Sequence, residues 1–208
     1  MTRVMNARDL FGYAQDEREP FMLRRFLMKR YVLTGAPGCG KTSIIRWLEV
    51  AGYLVVEEAA TDIIALRQAQ GIAEPHTHAS FIDDITNLQR WRQMQAADLT
   101  SAVQFYDRSP LCTYALSVWL GFPISITLAN EIERIREERI YQRQVFFVEN
   151  LGFCEPTQAR RISFEDSLRF EKVHEETYHA FGHELIRVPA RDLSSRVEQI
   201  KGCVLASA

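Results

Sequence analysis

Gly35-Ala-Pro-Gly-Cys-Gly-Lys-Thr42 decides the fold. The stretch fits the phosphate-binding pattern G-x-x-x-x-G-K-[ST] without departure, and its flanks fit as well. Before it stands Arg30-Tyr-Val-Leu-Thr34, a short apolar run that reads as a strand. After it, Ser43-Ile-Ile-Arg-Trp-Leu-Glu-Val50 sets Ile44, Ile45 and Leu48 at helical spacing. Glycines in such a loop let successive backbone N–H groups turn toward one anion, and the helix N-terminus adds partial positive charge. The pattern implies that Gly35, Ala36, Pro37, Gly38, Cys39, Gly40, Lys41, Thr42 and Ser43 cradle the phosphates of a nucleoside triphosphate. Lys41 is placed to reach the β- and γ-phosphates, and the Thr42 hydroxyl to ligate Mg²⁺.

The bulk properties narrow the setting. The 208 residues suffice for one α/β domain. Hydrophobic residues make up 47% and charged residues 25%, as in ordinary globular proteins. A formal net charge of −2 provides no general attraction to nucleic acid or to an anionic membrane. No apolar run approaches a membrane span, and the N-terminus lacks a signal-peptide layout. Cys39, Cys112, Cys154 and Cys203 lie far apart without a CxxC pair, which favours reduced thiols and a cytoplasmic location.

Along the chain, residues 1–28 form a polar leader without sustained apolar periodicity, expected to be poorly ordered. Strands are expected at 30–34, 53–57, 102–106, 144–148 and 184–188. Helices are expected at 59–70, 81–99, 111–120, 129–141, from 163 to near Gly182, and at 193–204. Residues 71–80 read as a loop. Val145-Phe-Phe-Val148 is an unbroken apolar run, the mark of a strand buried on both faces. Such alternation implies an α/β fold, a five-stranded parallel sheet with helices on both faces, spanning residues 29–208.

Ligands bind beyond the carboxyl ends of the strands in open parallel sheets. There the sequence sets Glu57-Glu58, Asp107-Arg108, Glu149-Asn150 and Pro189-Ala-Arg191. Asp107 suits a Mg²⁺ partner; as a helix-capping carboxylate it has a plainer explanation. Arg108 suits a clamp on a phosphate or, equally, a surface ion pair. Strand alternation allows only one of Glu57 and Glu58 to face the site, and Glu58, beyond the strand end, is the candidate to accept or orient a substrate proton. Both also suit a helix N-terminus. Arg160-Arg161, in an irregular stretch, suits a lid that closes on phosphates. Arg191 suits stacking on adenine, and Asp192 a helix cap. The histidines show no metal-site spacing, and Cys39 is a small tolerated side chain.

These segments together resemble a known family. Strand-Gly-Ala-Pro-Gly-Cys-Gly-Lys-Thr-Ser43, Gly52-Tyr-Leu-Val-Val-Glu-Glu-Ala-Ala60 and Phe105-Tyr-Asp-Arg-Ser109 resemble small AAA-type ATPases and kinases. They are similar to the ribosylnicotinamide kinase domain of bacterial NAD-metabolism regulators and, more loosely, to deoxynucleoside and nucleoside monophosphate kinases. Tyr178 and the segment Gly182-His-Glu-Leu-Ile-Arg-Val-Pro189 look like that family's C-terminal signature. The resemblance covers residues 30–200. It implies ATP·Mg²⁺ at residues 35–43, an acidic contact at Glu58, a substrate or metal contact at Asp107-Arg108, and a lid around Arg160-Arg161. The lid segment departs from relatives, reading Glu155-Pro-Thr-Gln-Ala-Arg160 without an aspartate-glycine pair.

The expectation is a Mg²⁺-dependent phosphotransferase acting on a small, nucleoside-like metabolite. Lys41, Glu58, Asp107, Arg108, Arg160 and Arg161 are its candidate catalytic residues, and Thr42 with Asp107 its candidate metal ligands. The alternatives are an ATPase or nucleotide-dependent switch acting on a protein partner, and a nucleotide-binding interaction module.

Overall fold

The computed structural model describes residues 28–97, 101–152 and 162–206. Apart from Met28, the leader lies outside these. Among the described residues five strands form one sheet: β1 (Lys29–Thr34), β2 (Leu54–Val56), β3 (Val103–Asp107), β4 (Gln144–Val148) and β5 (Glu184–Val188). All are parallel, in the order β2-β3-β1-β4-β5. The phosphate-loop strand β1 is therefore central, with Leu33 beside Asp107 and Thr34 beside Phe147.

The described residues contain seven α-helices: α1 (Lys41–Val50), α2 (Ala59–Ala69), α3 (Ser80–Ala97), α4 (Pro110–Leu120), α5 (Ile126–Glu137), α6 (Phe164–Ala180) and α7 (Leu193–Ala206). The period-two alternation of the strands splits the core into two layers. Tyr31, Leu33, Phe146 and Val148 pack against Ile44 and Leu48 of α1 and Val197 and Ile200 of α7. On the opposite face Val32, Tyr106 and Val145 meet Leu111 of α4, Leu128 and Ile132 of α5 and Tyr178 of α6. Helix α2 joins α3 through Ala59, Ile63, Phe81 and Ile85. Val145, Phe146, Phe147 and Val148 have no exposed surface, as the unbroken run predicts.

Several boundaries differ from expectation. Strand β2 is three residues long: Tyr53, after the turn at residues 51–52, and Glu57 and Glu58, before α2, lie outside it. The helix expected at 129–141 starts at Ile126, where the Ser125 hydroxyl accepts a bond from the Leu128 N–H at 3.1 Å. It stops after Glu137, and the chain turns at Arg139, whose φ is 48°. The expected loop at 71–80 contains a short 3₁₀ turn, Pro75–Thr77. Among the described residues no helix is long and apolar enough to cross a membrane.

Candidate functional site

The loop between β1 and α1 is held from below. Gly35 has φ 129°, and a Cβ there would stand 2.3 Å from the Val148 carbonyl oxygen of β4. Only glycine tolerates that approach. Gly40 caps α1 in the left-handed region with φ 83°. The Lys41 ammonium is folded inward, donating to the carbonyl oxygens of Gly35 at 3.0 Å and Ala36 at 2.8 Å, and to Cys39 Sγ at 3.2 Å. Thr42 and Ser43 are exposed. A cavity of about 190 Å³ is lined by Gly38, Gly40, Lys41, Thr42, Glu58 and Asp107. Asp107, at the end of β3, is buried. Hydroxyl and carboxylate oxygens beside an ammonium group suit a phosphate chain with a hard divalent cation.

A second cavity, of about 360 Å³, adjoins the first. Helices α2, α3, α4 and α6 line it, together with Pro37 of the phosphate loop. Its apolar wall includes Phe81, Trp119 and Phe170, and its polar groups include Thr61, Glu74, Gln89 and Asp166. Glu58 lines both cavities.

Glu58 is fixed from both sides. Arg108 Nε donates to its Oε1 at 2.5 Å, and the Thr61 hydroxyl donates to its Oε2 at 2.6 Å. Arg108 has φ 75°, a left-handed conformation that non-glycine residues adopt at a cost. Its N–H donates to the Leu33 carbonyl at 3.1 Å. Burial opposes the charge of its guanidinium, but Glu58 and Asp107 outweigh that effect and hold its pKa above the usual range. Arg108 Nη1 reaches His174 Nε2 at 3.2 Å. Burial, with Arg108 next, pushes the His174 pKa down to about 3. Beyond Arg108 the turn is locked by Ser109, whose hydroxyl accepts from the Leu111 N–H at 3.2 Å and bonds the buried Tyr178 hydroxyl at 2.7 Å.

A further arginine, from α7, supports the loop. Arg196 is buried, and its Nη2 donates to the carbonyls of Cys39 at 2.8 Å and Glu149 at 3.2 Å. Burial lowers its pKa. Glu57 points away from Glu58 and pairs with Arg46 of α1 at 2.5 Å. Arg191 is exposed and lines neither cavity. Asp192 caps α7 by accepting from the Ser195 N–H at 2.9 Å. Arg160 and Arg161, with the expected lid, lie outside the described residues.

Thus the fold brings Gly38, Gly40, Lys41, Thr42, Glu58 and Asp107 to one cavity, with Arg108 beside it. Sequence reasoning missed Thr61, His174 and Arg196. Thr61 follows Glu58 by one helical turn and was open to detection as an i, i+3 partner. His174 and Arg196 lie 66 and 157 residues from their partners, on helices whose local pattern carries no sign of them.

This geometry defines a P-loop NTPase fold of kinase-like α/β architecture. An AAA-domain family model matches residues 30–196, and the chain belongs to that family. No curated protein matches the chain in sequence. Among solved structures it is similar to the NadR protein in complex with NAD and AMP-PNP, with 16% identity and a TM-score of 0.64. That match covers 96% of this chain and 58% of NadR, so the chain spans less than two thirds of that relative. It is also similar to NadR in complex with NR, with 16% identity and a TM-score of 0.59 over 89% of this chain and 53% of that one. Deoxyadenosine kinase from M. mycoides with bound dATP matches at 16% identity and a TM-score of 0.54, covering 85% of this chain and 99% of the kinase. At these identities the likeness establishes the shared fold.

Proposed function

We propose that this chain transfers the γ-phosphoryl group of ATP to a hydroxyl of a small, unphosphorylated, nucleoside-like acceptor. The observation that carries this reading is the position of Glu58, a carboxylate lining both the phosphate-loop cavity and the larger cavity beside it. A motor or switch needs a nucleotide site; a kinase also needs a second pocket that meets it at a proton acceptor.

The triphosphate occupies residues 35–43, where loop N–H groups and Lys41 neutralise its charge. Lys41 then exchanges its carbonyl partners for phosphate oxygens. Thr42 and Asp107 would hold Mg²⁺, which supplies charge neutralisation on the phosphates. The acceptor lies in the 360 Å³ cavity, within the size range of small-molecule sites. Glu58 accepts the proton of its attacking hydroxyl as the oxygen–phosphorus bond forms and the bond to the ADP oxygen breaks. Arg108, together with Arg160 and Arg161, offsets charge on the transferring group.

The charge of the acceptor follows from the wall. Among the described residues lining the larger cavity, Arg108 is the single arginine or lysine. Glu58, Glu74 and Asp166 are carboxylates there. A phosphate-bearing acceptor is therefore disfavoured, while an uncharged or cationic one with a ring for Phe81, Trp119 and Phe170 is favoured.

The test is incubation with γ-labelled ATP and parallel panels of nucleosides and nucleoside monophosphates. Label is expected on members of the nucleoside panel and on no monophosphate. Release of all label as inorganic phosphate, whatever the acceptor, would overturn the proposal and favour the ATPase or switch.

A further inference from the structure

His174 has no exposed surface and lies on α6, whose Asp166 and Phe170 line the larger cavity. Its Nδ1 is 2.9 Å from the Phe170 carbonyl oxygen, and its ring meets the Phe170 ring edge-on at 4.3 Å. A carbonyl oxygen only accepts, so Nδ1 carries the proton and Nε2 presents a lone pair. That lone pair faces Arg108 Nη1 at 3.2 Å, while Arg108 Nε serves Glu58 at 2.5 Å. The guanidinium is thereby gripped at two of its nitrogens, on a residue whose backbone is in the left-handed region.

We propose that His174 is a positioning residue, holding the Arg108 guanidinium in the one orientation that keeps the Glu58 carboxylate between the two cavities. This rests on the kinase reading for its catalytic consequence, but the geometry stands independently of it. Arg108 Nη1 also donates to the Gly35 carbonyl at 3.4 Å, so a side chain without an acceptor at position 174 leaves that longer bond in place of the 3.2 Å contact, and the guanidinium then has reason to shift away from Glu58 toward the loop. Burial keeps His174 uncharged throughout the neutral range, with its pKa pushed down to about 3, so the lone pair is always available. The Phe170 carbonyl that sets the tautomer belongs to a residue lining the acceptor cavity, so the grip on Arg108 is set beside the site of binding.

The experiment combines ¹⁵N NMR with kinetics on the full chain. In the wild type, His174 should show protonated Nδ1 and bare Nε2 at pH 7, and the Arg108 Nε–H should be protected from exchange. In His174→Phe that protection should be lost. With ATP and the nucleoside panel, kcat should fall on the order of 10- to 100-fold while KM for ATP stays within about twofold, since only the groups around Glu58 are disturbed. His174→Gln, which restores an acceptor near the Nε2 position, should recover kcat to within about threefold. In an Arg108→Ala background, His174→Phe should cause no further loss, because the two act as one unit. A protonated Nε2 in the wild type overturns the proposal, even if His174→Phe does not fold. Undiminished Arg108 protection or kcat in His174→Phe overturns it as well. If the wild type phosphorylates no nucleoside but the NMR results hold, the kinase reading fails and the positioning role survives.

Discussion

Replacing Glu58 by glutamine separates the carboxylate's chemistry from its structural role. The side chain is 16% exposed and its partner Arg108 11%, so the pair is largely removed from water. Deleting one partner of such a pair costs about 3–5 kcal/mol, because a charge is left buried and alone. Glutamine keeps an oxygen that can accept from Arg108 Nε but not the countercharge, so the loss of stability should lie at the lower end of that range, about 3 kcal/mol. The negative charge and the proton-accepting capacity both disappear. Loss of a positioned general base lowers rate by about 10²–10⁴-fold, so kcat for phosphoryl transfer should fall about 10³-fold in Glu58→Gln. The residues of the loop itself are untouched, and the AMP-PNP dissociation constant should stay within about threefold. Urea denaturation, calorimetric titration of AMP-PNP and steady-state kinetics measure the three quantities separately. A Glu58→Gln protein whose kcat is within tenfold of wild type refutes the assignment, because proton acceptance would then lie elsewhere.

Other perturbations probe the supports of the site. Gly35→Ala puts a Cβ 2.3 Å from the Val148 carbonyl oxygen, and should destabilise the fold by at least about 2 kcal/mol in chemical denaturation; an unchanged unfolding midpoint contradicts the close approach. Arg196→Met removes the Nη2 bonds that tie the loop carbonyl of Cys39 to that of Glu149 after β4, and should weaken AMP-PNP binding on the order of tenfold in calorimetry; equal affinity shows that the loop holds its shape unaided. Between pH 6.5 and about 3 the unfolded chain takes up a proton at His174 that the folded chain refuses, so stability should decline as pH falls through that window and be fully present above it. The slope from this one group approaches about 1.4 kcal/mol per pH unit, and His174→Phe should flatten the profile by that amount; identical profiles would mean that His174 protonates freely in the folded protein.

The sequence revealed the elements whose signals are local. The loop motif, the apolar runs of β1, β3, β4 and β5, and the Ser109-Pro110 helix start are each written within a few residues. The α5 start lies three residues earlier than the charged pattern from Glu131 suggests, because the Ser125 hydroxyl caps it. The polarity of the strand edge brought Glu58, Asp107 and Arg108 into view, since a parallel sheet sends all its strand ends the same way. Their arrangement stayed hidden. Arg108 takes a left-handed backbone and meets both Glu58 and His174, and the His174 ring is delivered to it by the packing of α6 on α4, far along the chain. Arg196 likewise reaches the loop through the docking of α7 on α1, a pairing of elements at opposite ends of the domain.

The most direct test of the central claim is the separation between Glu58 and an acceptor hydroxyl in a ternary structure with AMP-PNP and an unphosphorylated nucleoside. The expected result has the triphosphate analogue on residues 35–43, the nucleoside in the cavity walled by Phe81, Trp119 and Phe170, and its hydroxyl about 3 Å from a Glu58 oxygen, facing the γ-phosphate. A nucleoside bound elsewhere, or one whose hydroxyls all lie beyond hydrogen-bond reach of Glu58, would contradict it.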